Sequence, residues 1–139
     1  MKDEIIAQWG DGMSFDSTID EIQVTVDSHV KFGGEGKGPR PKPLLLFSLA
    51  GCTGMDVVSL LKKMRVDFTE FKIRVSAELT EEHPKYYHKI HLTYLFEGED
   101  IDAGKIEKAV ILSQDKYCGV SYMLSKTAEI TFEIRINES

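Results

Sequence analysis

A chain of 139 residues that is 42% hydrophobic and 29% charged has the balance of one globular domain and excludes a disordered or fibrous one. Its net charge of -6 excludes a phosphate-backbone binder, because nucleic-acid affinity rests on clustered Lys and Arg. The start, Met1-Lys2-Asp3-Glu4-Ile5-Ile6, is acidic where a signal peptide is basic and has no apolar run of signal length, so a cytoplasmic protein is expected.

In chain order, Ile5 to Trp9 and Met13 to Ile19 flank Gly10-Asp11-Gly12, a connector that predicts a hairpin. Ile22, Val24 and Val26 alternate with Gln23, Thr25 and Asp27, which predicts a third strand with one buried face and completes a β-meander over residues 1–30. Residues 32–43 hold Gly33, Gly34, Gly36, Gly38, Pro39, Pro41 and Pro43, a density that predicts a loop or extended crossing segment.

Pro43 suits the first turn of a helix, where its missing N–H costs nothing. From Leu44 to Arg65 apolar residues cover most of the helix circumference, which predicts a helix in the middle of a core. The stretch is just long enough for a membrane span. Asp56, Ser48, Cys52, Thr53, Ser59 and two glycines argue against one.

Phe71 to Leu79, Ile90 to Phe96 and Ile130 to Ile136 alternate apolar and polar residues as half-buried strands do. A helix is predicted from Asp102, as N-cap, to Tyr117, burying Ile106, Ala109, Val110, Ser113 and Tyr117. A short helical turn, Val120 to Ser125, follows Cys118. The order β-β-β-α-β-β-α-β predicts a single α+β domain, 1–139, of antiparallel sheets packed on helices, with residues 44–139 as the helix-bearing part. One sheet covers only part of so apolar a helix, so a second copy of the chain is the expected cover.

At 100° per residue, Ser48, Cys52, Asp56, Ser59 and Lys63 fall in an arc of about 80°. Such a polar stripe on an apolar cylinder must line a cleft or meet a polar surface. Gly51 and Gly54 flank Cys52, and two glycines in one turn imply a close approach by another backbone or a ligand. The chain's second cysteine, Cys118, is expected at a helix N-terminus, where unpaired N–H groups stabilise a thiolate. The two cysteines match neither zinc-ribbon nor Cys-x-x-Cys spacing.

Pro41-Lys42-Pro43-Leu44-Leu45-Leu46-Phe47-Ser48-Leu49-Ala50-Gly51-Cys52 resembles the start of the central helix in OsmC and organic hydroperoxide resistance proteins, and Cys118-Gly119-Val120-Ser121 is similar to that family's Cys-Pro-Val-Ser. The resemblance implies an intertwined homodimer with sheets wrapped around central helices. It implies a peroxidase for organic hydroperoxides or hydrogen peroxide, in which Cys52 forms a sulfenic acid and Cys118 resolves it to a disulfide. An external dithiol, of the lipoyl type in part of the family, then restores the pair, with no bound cofactor or metal. Family peroxidases also carry an N-terminal Arg and a Glu ten residues before the first cysteine. Gln8 to Ile19 holds no Arg, and Lys42 stands at the Glu position. Arg40 or Lys42 is therefore the expected thiolate-supporting cation. The alternative is a noncatalytic dimer of this fold that binds an apolar ligand or senses oxidants.

Gly33 to Gly38 lacks the register of a phosphate loop. His88 and His91 lie three apart on a predicted strand and so face opposite ways, which argues against a shared metal. No serine sits in a Gly-x-Ser-x-Gly elbow.

Overall fold

The computed structural model describes residues 1–138. The chain divides into two compact units, Met1–Leu45 and Leu46–Ser139. In the first unit β1 (Gln8–Trp9), β2 (Phe15–Ile19) and β3 (Ile22–Val26) form an antiparallel meander in that order. Asp20 and Glu21 join β2 to β3 with positive φ at both positions, the backbone that a two-residue hairpin between twisted strands demands. The predicted buried face of β3 is not closed within the chain: Ile22 is exposed, while Val24 and Val26 are half-buried.

A 3₁₀ turn, Val30–Phe32, opens the Gly/Pro segment, which stays irregular up to Pro41. Asp27 organises it. This buried residue accepts backbone N–H bonds from Ser28 at 2.7 Å, Glu35 at 3.0 Å and Lys37 at 3.1 Å. Those bonds, Glu35 first, hold its carboxyl below the ordinary value. Gly34 and Gly38 are required by space, because a Cβ would overlap the carbonyl of Ser28 and of Thr25 respectively.

The long helix, α1, runs Pro41–Lys63. It begins two residues before Pro43 because both prolines fit a first turn whose N–H groups have no intrahelical partner. Only one stripe of it is buried, Leu49, Thr53, Val57 and Leu61, every fourth residue on one face. Within the single chain Phe47 is 73% and Met55 74% exposed, which leaves open the part of the helix that the sequence expects a second copy to cover. A single three-stranded sheet covers one side of a helix and no more.

That sheet consists of β4 (Glu70–Leu79), β5 (Tyr87–Glu97) and β6 (Glu129–Ile136), with β5 central. Register explains the core. Phe71, Ile73, Val75 and Ala77 stand opposite Phe96, Tyr94, Leu92 and Ile90, which in turn face Ile136, Ile134, Phe132 and Ile130. Apart from Phe132, which is 37% exposed, these rows join Leu49, Val57 and Leu61 of α1 in one cluster, with Phe71 stacked on Phe96 at 4.2 Å. The class is α+β as expected, with one departure from all-antiparallel sheets: β6 runs parallel to β5. The chain between them is long enough for a crossover, because it carries α2 (Ala103–Leu112) and α3 (Gly119–Leu124).

α2 starts at the predicted cap, with Lys105 N–H donating to Asp102 Oδ1 at 3.2 Å. It buries Ile106, Ala109 and Val110. From Ser113 to Tyr117 the helix widens into a single π turn, closed by Cys118 N–H on the Ser113 carbonyl at 2.8 Å. Tyr117 is thereby turned out, at 49% exposure, where helical spacing expected it inside.

Candidate functional site

α1 presents Cys52 and Asp56 one turn apart, and the junction between the π turn and α3 presents Cys118. Their ligand-type atoms, two Sγ and a carboxylate oxygen, all lie within 4.8 Å of one another. Two cysteines 66 positions apart in sequence thus meet inside the second unit. Both are free thiols: Cys52 is half-buried and Cys118 is buried.

Cys118 caps α3 as predicted, its Sγ accepting the Ser121 N–H at 3.3 Å. The expected thiolate stabilisation does not result. Burial pushes the Cys118 thiol up to about 11, the Ser121 N–H opposes this, and the neighbouring Cys52 and Asp56 add to the rise. One amide dipole at the end of a short helix does not offset the desolvation of a cysteine that is 3% exposed. Cys118 therefore carries its proton at neutral pH.

A buried hydrogen-bond network ties the two elements together. Thr53 Oγ1 lies 2.8 Å from Tyr94 OH and 2.7 Å from Ser113 Oγ. Ser113 Oγ donates to Asp56 Oδ2 at 3.0 Å. Because a carboxylate only accepts, this fixes the order: Ser113 accepts from Thr53, and Thr53 accepts from Tyr94. Burial raises the Tyr94 phenol above its ordinary value, which keeps it a donor. Gln114 completes the ring. Its Nε2 donates to Tyr94 OH at 2.8 Å, and its Oε1 accepts from Ser121 Oγ at 2.7 Å. The π turn makes this possible, since adjacent residues Ser113 and Gln114 both reach Thr53. π turns recur at functional sites for such reasons.

Sequence reasoning placed Cys52, Asp56 and Cys118 but missed the roles of Thr53, Tyr94, Ser113, Gln114 and Ser121. The available signal was polar residues on core-facing positions, such as Ser113 in line with Ile106, Ala109 and Val110. Arg40 and Lys42 are exposed residues at the end of the first unit. Ser48, Ser59 and Lys63 of the polar stripe are exposed, while Cys52 and Asp56 are half-buried. Gly54 meets Ile73 Cδ1, where a Cβ would stand 3.2 Å away, whereas among the described residues nothing stands within 4 Å of a Cβ at Gly51.

An apolar groove of about 690 Å³, lined by Phe47, Gly51, Gly54, Met55, Val58 and Phe71, runs along another side of α1. Cys52 does not line it. On the outer face of the sheet His91 bonds Thr131 at 2.7 Å and Glu133 at 3.1 Å. α1 is long and apolar enough to cross a membrane by length and composition; its buried stripe belongs to the core of the second unit.

The family model described as OsmC-like protein matches residues 34–133. Protein YhfA of Escherichia coli K12 is 32% identical over 131 residues, covering 93% of this chain and 94% of that protein. The crystal structure of a hypothetical protein from Aquifex aeolicus superposes with a TM-score of 0.83 at 31% identity, over 99% of both chains. The organic hydroperoxide resistance protein OhrB of Bacillus subtilis shares the fold, with a TM-score of 0.63 at 16% identity over 97% of this chain and 98% of that one. With its two thiols gathered between the central helix and the crossover, and with matches spanning nearly its whole length, the chain belongs to the OsmC-like protein family.

Proposed function

We propose that this protein is a cytoplasmic thiol peroxidase in peroxide-related stress defence, acting on organic hydroperoxides or hydrogen peroxide. The observation that carries the reading is the meeting of Cys52 and Cys118 from elements far apart in sequence, with all ligand atoms of the cluster within 4.8 Å. Family membership supports the chemistry. Cys52, the more accessible thiol, loses its proton and attacks a peroxide oxygen. The O–O bond breaks, the alcohol leaves with a proton, and Cys52 becomes a sulfenic acid. Cys118 then attacks that sulfur, water departs, and a disulfide forms. An external dithiol, of the lipoyl type, reduces it by exchange.

Side-chain rotation brings the two sulfurs from their present spacing to a bond of about 2.05 Å. Arg40 or Lys42 is the proposed source of the cation that favours the Cys52 thiolate. The working unit is a homodimer, supported by the exposed apolar side of α1 at Phe47 and Met55 beside the groove. Neither nucleic acid nor membrane enters the reading.

A second reading, a noncatalytic dimer that binds an apolar ligand or senses oxidants, is favoured by two observations. Burial, with a smaller addition from Asp56 beside the thiols, raises Cys118, and the apolar groove does not include Cys52. One experiment separates them. Reduced protein is mixed with equimolar cumene hydroperoxide and its free thiols are counted by mass spectrometry. The peroxidase loses both thiols to a Cys52–Cys118 disulfide within seconds, Cys118→Ser stops at a Cys52 sulfenic acid, and Cys52→Ser is inert. Thiols that persist for many minutes in the wild type sink the enzyme reading. Arg40→Ala and Lys42→Ala together slow the reaction if either residue supports the thiolate; an unchanged rate removes both from the site.

A further inference from the structure

The cluster that brings the cysteines together also contains a carboxylate, and three such groups form a donor set with a chemistry of its own. We infer that reduced Cys52, Cys118 and Asp56 constitute a binding site for a thiophilic divalent cation of the zinc class. Two sulfurs and one oxygen within 4.8 Å of one another suit that ion. Tetrahedral zinc holds sulfur at about 2.3 Å, so two of its ligands stand about 3.8 Å apart. Side-chain rotations of about 1 Å close the set around one ion.

Two of the three ligands are already held from behind, as metal ligands usually are. Ser113 Oγ donates to Asp56 Oδ2 at 3.0 Å and is itself fixed by Thr53. Ser121 N–H donates to Cys118 Sγ at 3.3 Å. The donor types choose the ion. Two thiolates exclude magnesium and calcium, which take oxygen ligands, and select zinc or its softer analogue cadmium. Three protein ligands with Cys52 on the accessible side leave the fourth position to water, the pattern of an exchangeable site and not of a closed structural one.

The local sequence hides this site. No two of the ligands form a spaced cysteine pair, and Asp56 reads as one more member of the polar stripe. Binding converts both thiols to thiolates, with their protons released to solvent, so cation and peroxide compete for the same sulfur atoms. A bound ion keeps the pair reduced and unreactive; its withdrawal exposes Cys52. The inference uses only the reduced thiols, so it stands or falls independently of peroxide turnover.

The test is a titration of the reduced, chelator-treated protein with cadmium, followed by the ultraviolet thiolate-to-metal charge-transfer band, and with zinc in competition against a chromophoric chelator. One ion per chain is expected, with the band of two thiolates. Cys52→Ser and Cys118→Ser each give half that band. Asp56→Asn keeps both thiols and an acceptor oxygen for Ser113, and weakens zinc by tenfold or more. The wild-type disulfide form, which keeps every side chain, takes up no ion. Absence of the charge-transfer band, zinc affinity unchanged in Asp56→Asn, or retention of metal by the oxidised protein each overturns the proposal. The charge-transfer band and the Asp56→Asn zinc affinity are read on reduced protein, so failure of the peroxide assay leaves both untouched, and the converse also holds; the disulfide for the oxidised arm is formed with a chemical oxidant such as diamide.

Discussion

Thr53 is the residue on which the site's geometry turns. It sits at the centre of the buried stripe of α1 and joins Tyr94, Ser113 and Gln114 through one oxygen. Replacing it with Val keeps the shape but removes that oxygen, so Ser113 loses the donor behind it and Tyr94 loses its acceptor. Buried polar groups stripped of a partner cost about 1–3 kcal/mol. Thr53→Val is therefore expected to lower the urea unfolding free energy by about that amount, with Asp56 no longer held in one orientation. Unfolding free energies equal to wild type would show the network to be incidental. Gln114 illustrates how tightly the donors are assigned: its amide fits only with Nε2 toward Tyr94 and Oε1 toward Ser121.

Among the elements, the Gly/Pro segment, with Ser28 before it, gathers three N–H groups on a single carboxylate. Asp27 gathers the N–H groups of Ser28, Glu35 and Lys37, and its carboxyl is depressed as a result. A depressed folded value means that the ionised carboxylate stabilises the folded loop fully above the ordinary carboxylate range of about 4, and that this contribution is lost as pH falls through the folded value. Amide exchange protection at Glu35 and Lys37 should accordingly hold from neutral pH down to about 4 and then decline in acid. In Asp27→Asn, protection is weaker at neutral pH and the acid decline disappears. A decline that persists in this variant assigns the transition to another carboxylate. α1 shows the opposite kind of dependence, since its start at Pro41 and its length follow from proline chemistry and apolar content alone.

For the whole molecule, the question is what covers the apolar side of α1. Phe47 and Met55 stand exposed there beside the groove, and a second copy is the proposed cover. Met55→Lys places an unpaired charge on that surface, so the dimer should weaken by about tenfold or more, equal to at least ~1.4 kcal/mol. Sedimentation equilibrium of wild type and variant measures this directly. A wild type that sediments as a monomer, or a variant as tightly associated as wild type, removes α1 from the interface.

Much of the architecture was legible in the sequence because it rests on short-range patterns. Alternation in Phe71 to Leu79 and Ile90 to Phe96 reports the half-buried faces of β4 and β5, and Asp102 reports the start of α2 by its capping chemistry. The polar stripe singled out Cys52 and Asp56, and the resemblance assigned Cys118 its partner. What the sequence did not contain was everything set by packing between distant segments. The parallel run of β6, the π turn that brings Ser113 and Gln114 onto Thr53, and the rise of the Cys118 thiol all depend on which surfaces meet and how much water they exclude. Periodicity records how a residue faces its own element. The meeting of Cys52, Asp56 and Cys118 is a property of three-dimensional closure, and only the folded chain decides it.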